Sequence, residues 1–189
     1  MFILEGEANM SLKKMTRSKH SNAERSWFAS LMMSGKITNE QYAAYLKQQF
    51  ECYNALEKRF QNISDVIPIP EKLKRATNIM NDLKELNSDI DNIPIFESTN
   101  EYIQYINACE ENMLYAHVYV RYLGDLKGGQ MIAKKIPGSG QYYKFENPDE
   151  LESFIRKQLR EDEIFVDECN KCFDSAIKLF KDLELHLNT

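Results

Sequence analysis

Apolar residues Leu12, Met15, Ala23, Trp27 and Leu31 recur near helical spacing, which predicts a first helix over Ser11–Met33, preceded by a polar and loose Met1–Asn9. Gly35 ends that helix, and Thr38-x-x-Gln41 has the form of a capping box that opens a second. The second carries a wide aromatic stripe of Tyr42, Tyr45, Phe50, Tyr53 and Phe60, which reads first as core. Pro68 and Pro70 break the chain before a third helix from Leu73 to Leu86, and Pro94 closes the loop after it. Ser98-x-x-Glu101 predicts another capping box, and Tyr102, Ile106, Cys109, Met113 and Val120 predict one long helix from it. Pro137–Glu146 reads as loop. Asn147 and Pro148 suit an N-cap and first turn, Leu151–Leu159 a short helix, and Asp162–Leu187 a last one burying Phe165, Phe173 and Phe180. Six or so helices with no repeat and no linker imply an all-α, single-domain bundle over residues 1–189.

One stretch departs from this regularity. Ala116–Gln130 reads A-H-V-Y-V-R-Y-L-G-D-L-K-G-G-Q, so a strongly helical run meets Gly124, Gly128 and Gly129 around one acid, Asp125. Each glycine inside a helix costs about 1 kcal/mol against alanine. Two compensations are open: close packing of another helix against the small residues, or close approach of the backbone to a flat ligand, with a bend where the ladder weakens.

Composition narrows the function classes. The formal charge of -5 argues against a nucleic-acid binder, although Lys13, Lys14, Arg17 and Lys19 form a local basic cluster. No apolar run approaches a membrane span, and the N-terminus has no basic start followed by an apolar core, so a soluble cytoplasmic protein is expected. Cys52, Cys109, Cys169 and Cys172 suit a reducing compartment; the Cys169-x-x-Cys172 pair has no second pair and reads as packed or half-exposed thiols ahead of a redox or metal role.

Catalytic templates are mostly absent: the chain has no P-loop, G-x-G-x-x-G, G-x-S-x-G or H-E-x-x-H. Its histidines are His20, His117 and His186, and none has a glutamate three positions before it, which excludes the di-iron bundle pattern. His20 and Glu24, four apart, share a helix face. An imidazole ligates iron through one nitrogen while a carboxylate fixes the other, though such a pair is more often a surface contact.

Both stretches resemble one family. R-Y-L-G-D-L followed by G-G-Q is similar to the distal-helix signature of haem oxygenases, and His20-Ser-Asn-Ala23-Glu24 is similar to the H-x-x-A-E of their proximal helix. The likeness extends over most of the chain, weakest in Ser64–Ile95, and points to the soluble microbial, plastid or cyanophage type. It implies that haem b is substrate and prosthetic group, opened with O2 at the α-meso carbon to biliverdin IXα, carbon monoxide and iron. It further implies that His20 is the axial ligand of the haem iron with Glu24 beside it, and that Gly124 and Gly128 lie across the other face. By the same resemblance Asp125 organises distal waters, with Tyr119, Arg121 and Tyr122 supporting them; Lys13, Arg17 and Arg156 meet the propionates, and Phe173 and Phe180 wall the pocket. Ferredoxin is the implied electron donor, suited to a basic rim of Lys13, Lys14, Arg17, Lys19, Arg156, Lys157 and Arg160, and a bilin reductase is a possible downstream partner. A haem carrier that does not degrade its ligand is the alternative.

The chain departs from the family pattern at four places. Lys127 stands where relatives have serine, Phe50 where they have tyrosine, Ala176 where they have asparagine, and Glu152 where some have a propionate-binding lysine.

Overall fold

A computed structural model of the chain describes residues 4–188 apart from Ser88, with side chains from Leu12 onward. Helix α1 (Leu4–Glu24) begins within the segment expected to be loose; only Met1–Ile3 of that segment lie outside the described residues. The predicted first helix also divides. Ser26 turns the chain and caps α2 (Trp27–Ser34) by accepting from the Ala29 amide, and Gly35, with φ of 69°, closes it in the left-handed conformation. Periodicity carried straight across this break because Ala23, Trp27 and Leu31 keep helical spacing on both sides of it.

Helix α3 (Asn39–Gln61) starts on the expected capping box, Thr38 and Gln41 each satisfying the other's backbone amide. A 3-10 turn at Glu71–Leu73 precedes α4 (Ala76–Leu86), so the third helix starts later than its apolar spacing suggests. The buried carboxylate of Glu57 supplies the cap: its Oε1 accepts the amides of Arg75 at 2.6 Å and Ala76 at 3.1 Å. The second predicted capping box does not form. Helix α5 (Glu97–Ala108) begins after Phe96, Ser98 is buried without a hydroxyl partner, and Glu101 pairs with Lys178.

The long helix predicted through Val120 is interrupted at Cys109 and Glu110. It resumes as a 3-10 turn (Glu111–Met113), α6 (Leu114–Val118), a π-helical turn (Tyr119–Leu123) and α7 (Gly124–Ile132). After a loop with a short 3-10 turn at Gln141–Tyr143 come α8 (Pro148–Arg156) and α9 (Glu163–Leu187). Pro148 occupies the first turn as expected, but Asn147 is left-handed at φ of 53° and makes no side-chain cap. Asp162 caps α9 by accepting from the Phe165 amide.

The fold is all-α, with no strand among the described residues. Helix α9 is the spine: α1, α2, α5 and α6 pack along it, while α3 joins α4 and α5 on the other side. Tyr42, Tyr45, Leu46, Tyr53, Leu56, Tyr102, Tyr122 and Phe165 fill the space between them. Much of that core is phenolic, so its packing also has to satisfy hydroxyls.

Candidate functional site

Along α1, Lys13, Arg17, His20 and Glu24 fall on one face by spacing, and all are exposed. Glu24 Oε2 lies 3.4 Å from His20 Nδ1, leaving Nε2 as the outward nitrogen. Phe173 of α9 meets the imidazole edge-on, ring centres 5.7 Å apart. Phe180, two turns further along α9, instead packs on Phe28 and Tyr45, so only Phe173 touches the histidine. Lys19 belongs to a different contact, its ammonium 2.6 Å from Asp174.

The distal segment owes its shape to the π turn. One extra residue per turn at Tyr119–Leu123 rotates everything after it, so α7 leaves at a new angle just where the glycines begin. The glycines then divide into two kinds. A Cβ on Gly124 or Gly128 would meet nothing within 4 Å, whereas one on Gly129 would collide with the buried Tyr143 ring. Gly129 therefore answers to close packing, and Gly124 with Gly128 forms an open, side-chain-free strip. Close packing thus accounts for Gly129, while the space over Gly124 and Gly128 is left open.

Asp125 sits on the inner side of this strip. Tyr53 of α3 donates a short hydrogen bond to its Oδ2, and the Tyr142 hydroxyl lies near enough to favour the ionised carboxylate. Burial pushes the Asp125 carboxyl up to about 7, while those hydroxyls and the charges of Arg121 and Arg75 pull the other way. Arg121 is buried, donates to Gln49 Oε1 at 3.2 Å and lies over the Tyr102 ring at 4.1 Å. Tyr122 packs at a tilt against Tyr53 and donates to Glu57 at 3.0 Å, tying the carboxylate network to the α4 cap. Tyr119 stands apart: its hydroxyl meets Thr16 of α1, so it links the two helices that carry the site and does not reach Asp125.

Three contacts add detail that residue spacing does not carry. The phenol on Asp125 comes from Tyr53, one turn past Phe50, which itself packs partly buried against the core. Arg156 is no isolated cation, since Glu152 Oε1 holds it at 2.7 Å, and Arg160 is engaged by Asp162 at 2.8 Å. Lys127 reaches Glu152 Oε2 at 2.6 Å. That pair borders a crevice of about 430 Å³ between α7 and α8, lined also by Leu126, Gln130 and Phe145; neither His20 nor the glycine strip takes part in it. Tyr142 and the capping role of Glu57 escaped the sequence reading, which treated the Pro137–Glu146 loop as a connection. Ala176 contributes no hydrogen-bonding group to the network.

A half-open imidazole beside an aromatic ring, a helical strip without side chains and a carboxyl titrating near neutrality fit a planar, iron-bearing ligand. Among known proteins, the family described as Heme oxygenase matches residues 7–182. Mouse Heme oxygenase 2 is 28% identical over 92% of this chain, which spans 64% of that relative's length, just under two thirds. Heme oxygenase from Guillardia theta is 29% identical over 93% of this chain and 86% of its own. The solved structure of heme oxygenase-1 from the cyanobacterium Synechocystis, in complex with heme, superposes with a TM-score of 0.82 at 26% identity, covering 93% of this chain and 91% of that one.

Proposed function

Because the chain belongs to the haem oxygenase family, we propose that it binds haem b as substrate and prosthetic group and uses O2 to open it at the α-meso carbon, yielding biliverdin IXα, carbon monoxide and iron. The single observation that carries this reading is the Tyr53–Asp125 hydrogen bond beside the bare strip of Gly124 and Gly128. A carrier needs an axial histidine; it has no use for a half-buried carboxyl whose pKa burial has raised to about 7.

Bound haem supplies the iron at which dioxygen is activated. His20 would hold that iron, with Glu24 steadying Nδ1 and Phe173 limiting rotation of the ring. Gly124 and Gly128, with no Cβ, would let a flat macrocycle approach the α7 backbone, whose direction is set by the π turn. Asp125 takes up and releases a proton near neutral pH, holds an ordered water and delivers the proton through it. Tyr53 and Tyr142 keep that carboxyl in place, and Arg121 limits how far burial raises it. Lys13 and Arg17 on the histidine's face offer charge to the propionates.

Electrons come from ferredoxin, an acidic donor that fits the exposed Lys13, Lys14, Arg17 and Lys157. Lys19 and Arg160 are already ion-paired and contribute less. A bilin reductase is a suitable consumer of the product.

Haem is added to the purified protein, followed by ferredoxin with an electron source, while the Soret band is monitored. Decay of that band with growth of biliverdin's red absorbance is the expected result, and His20→Ala should abolish it. A Soret band stable under reduction in air would leave a haem carrier, and no haem binding would remove the reading altogether. Replacing Lys14 and Lys157, exposed cations with no part in holding haem, should slow turnover with ferredoxin and spare turnover with a small chemical reductant; equal loss with both would exclude docking at these residues.

A further inference from the structure

Away from the glycine strip, three segments bring three different ligand types to one buried point. Cys109 caps the C-terminus of α5, His117 lies in α6 and Glu168 in α9, and their Sγ, ring nitrogen and carboxylate oxygen all lie within 4.8 Å of one another. His117 Nε2 is 2.9 Å from Glu168 Oε1, and Cys109 Sγ is 3.5 Å from the same oxygen. An ion bound tetrahedrally at about 2.0–2.3 Å separates its ligands by roughly 3.3–3.8 Å. The imidazole–carboxylate contact therefore needs to open by only about half an ångström to admit it.

The surroundings orient each ligand. The Tyr102 hydroxyl sits 3.1 Å from His117 Nδ1, which fixes the ring with Nε2 toward the thiol and the carboxylate. Tyr105 donates to both Glu168 oxygens, at 2.6 and 2.8 Å, and Lys171 reaches Oε2 at 3.2 Å. Hydrogen-bonded outer partners of this kind set the direction and basicity of metal ligands. All three ligand residues are buried, while Tyr105 is 38% exposed and Lys171 lies at the surface, giving a short route from solvent.

We propose that Cys109, His117 and Glu168 form a zinc site, independent of the haem reading. Mixed sulfur, nitrogen and oxygen donors suit a borderline-soft divalent ion, and a thiolate with an imidazole disfavours magnesium and calcium. Zinc displaces the Cys109 thiol proton, and any proton on His117, to solvent, and a water or the second Glu168 oxygen completes four ligands. Three segments are thereby pinned together, and one of them, α6, leads directly into the π turn that carries Arg121. Of the adjacent Cys169-x-x-Cys172 pair, Cys172 borders His117 but lies outside the three-ligand cluster; both thiols are buried and unbridged.

Cobalt(II) serves as the spectroscopic probe, titrated into the full chain without haem. A near-ultraviolet thiolate-to-cobalt absorption that saturates at one equivalent, bleaches with zinc and disappears in Cys109→Ser is the expected result. Cys52→Ser should retain it, and zinc should raise the melting temperature of the unaltered chain. No such absorption in the unaltered chain, or its survival in a folded Cys109→Ser, overturns the site. If Cys109→Ser does not fold, alkylation mapped by mass spectrometry decides: zinc should slow modification of Cys109 at least tenfold, and no protection overturns the site equally.

Discussion

Lys127 on α7 and Glu152 on α8 form an ion pair at 2.6 Å, and the same carboxylate holds Arg156 at 2.7 Å. Two residues that depart separately from the family pattern are thus partners. The glutamate reverses a charge where some relatives carry a lysine, the lysine compensates, and the trio keeps a net charge of about +1 with both cations drawn to the shared carboxylate.

Glu152→Gln should release Lys127 and Arg156 toward an anionic ligand. Haem affinity is expected to rise several-fold and to become more dependent on salt, since exposed cations are screened. Fold stability should change by less than about 1 kcal/mol, because Lys127 is largely solvated. Haem titration at two ionic strengths and urea denaturation check both halves; unchanged affinity would place the trio away from the propionates.

The glycines should separate by experiment as they do by environment. Gly129→Ala drives a methyl into the Tyr143 ring and should destabilise the protein by about 1–3 kcal/mol. Gly124→Ala and Gly128→Ala meet no protein atom and should leave stability unchanged or raise it by about 0.5–1 kcal/mol, while weakening haem binding and turnover. Thermal melts paired with Soret titrations distinguish the two classes.

Asp125 should impose a pH signature on stability. Its carboxyl titrates at about 7 in the fold and at roughly 3.9 in the unfolded chain, so the folded state binds this proton more tightly. The contribution is complete below about pH 4, shrinks as pH rises and is lost above about pH 7. The full shift corresponds to about 4 kcal/mol, and partial solvent access reduces the expectation to the order of 2 kcal/mol. Asp125→Asn should therefore be more stable than the parent at pH 8 by that amount, with the gap closing toward pH 5. Denaturant midpoints across this range test it; a constant gap would show that the carboxyl does not titrate there.

Tyr53→Phe removes a hydrogen bond that holds the Asp125 pKa down, so the pKa should move further up. The alkaline limb of the turnover profile, set by loss of the Asp125 proton, should shift to higher pH while maximal turnover falls through looser positioning. A pH–rate profile beside that of the parent checks the direction, and a shift to lower pH would contradict the assigned donor.

The aromatic stripe at Tyr42, Tyr45, Tyr53 and Phe60 predicted a buried helix face, and that face is the core. Glycine and acid crowded into Gly124–Gly129 marked the segment that carries the open strip. His20 and Glu24 were legible as a pair because i,i+4 spacing places them together in any helix. Helix interruptions at Ser26 and Cys109 were not, since apolar periodicity continues across both and the turn is imposed by what the flanking helices pack against.

The amino-acid sequence by itself determined the helical class, the local pairings and the presence of a side-chain-poor turn around Asp125, because these depend on contacts within one or two helical turns. Tertiary structure decided which hydroxyl reaches that acid, which glycine packs and which stands open, and that Lys127 answers Glu152 across two helices. It also decided that Cys109, His117 and Glu168 converge from α5, α6 and α9. Each of these depends on the angle and register at which distant segments meet, and at the distal site a single π turn, invisible in hydrophobic spacing, changes both.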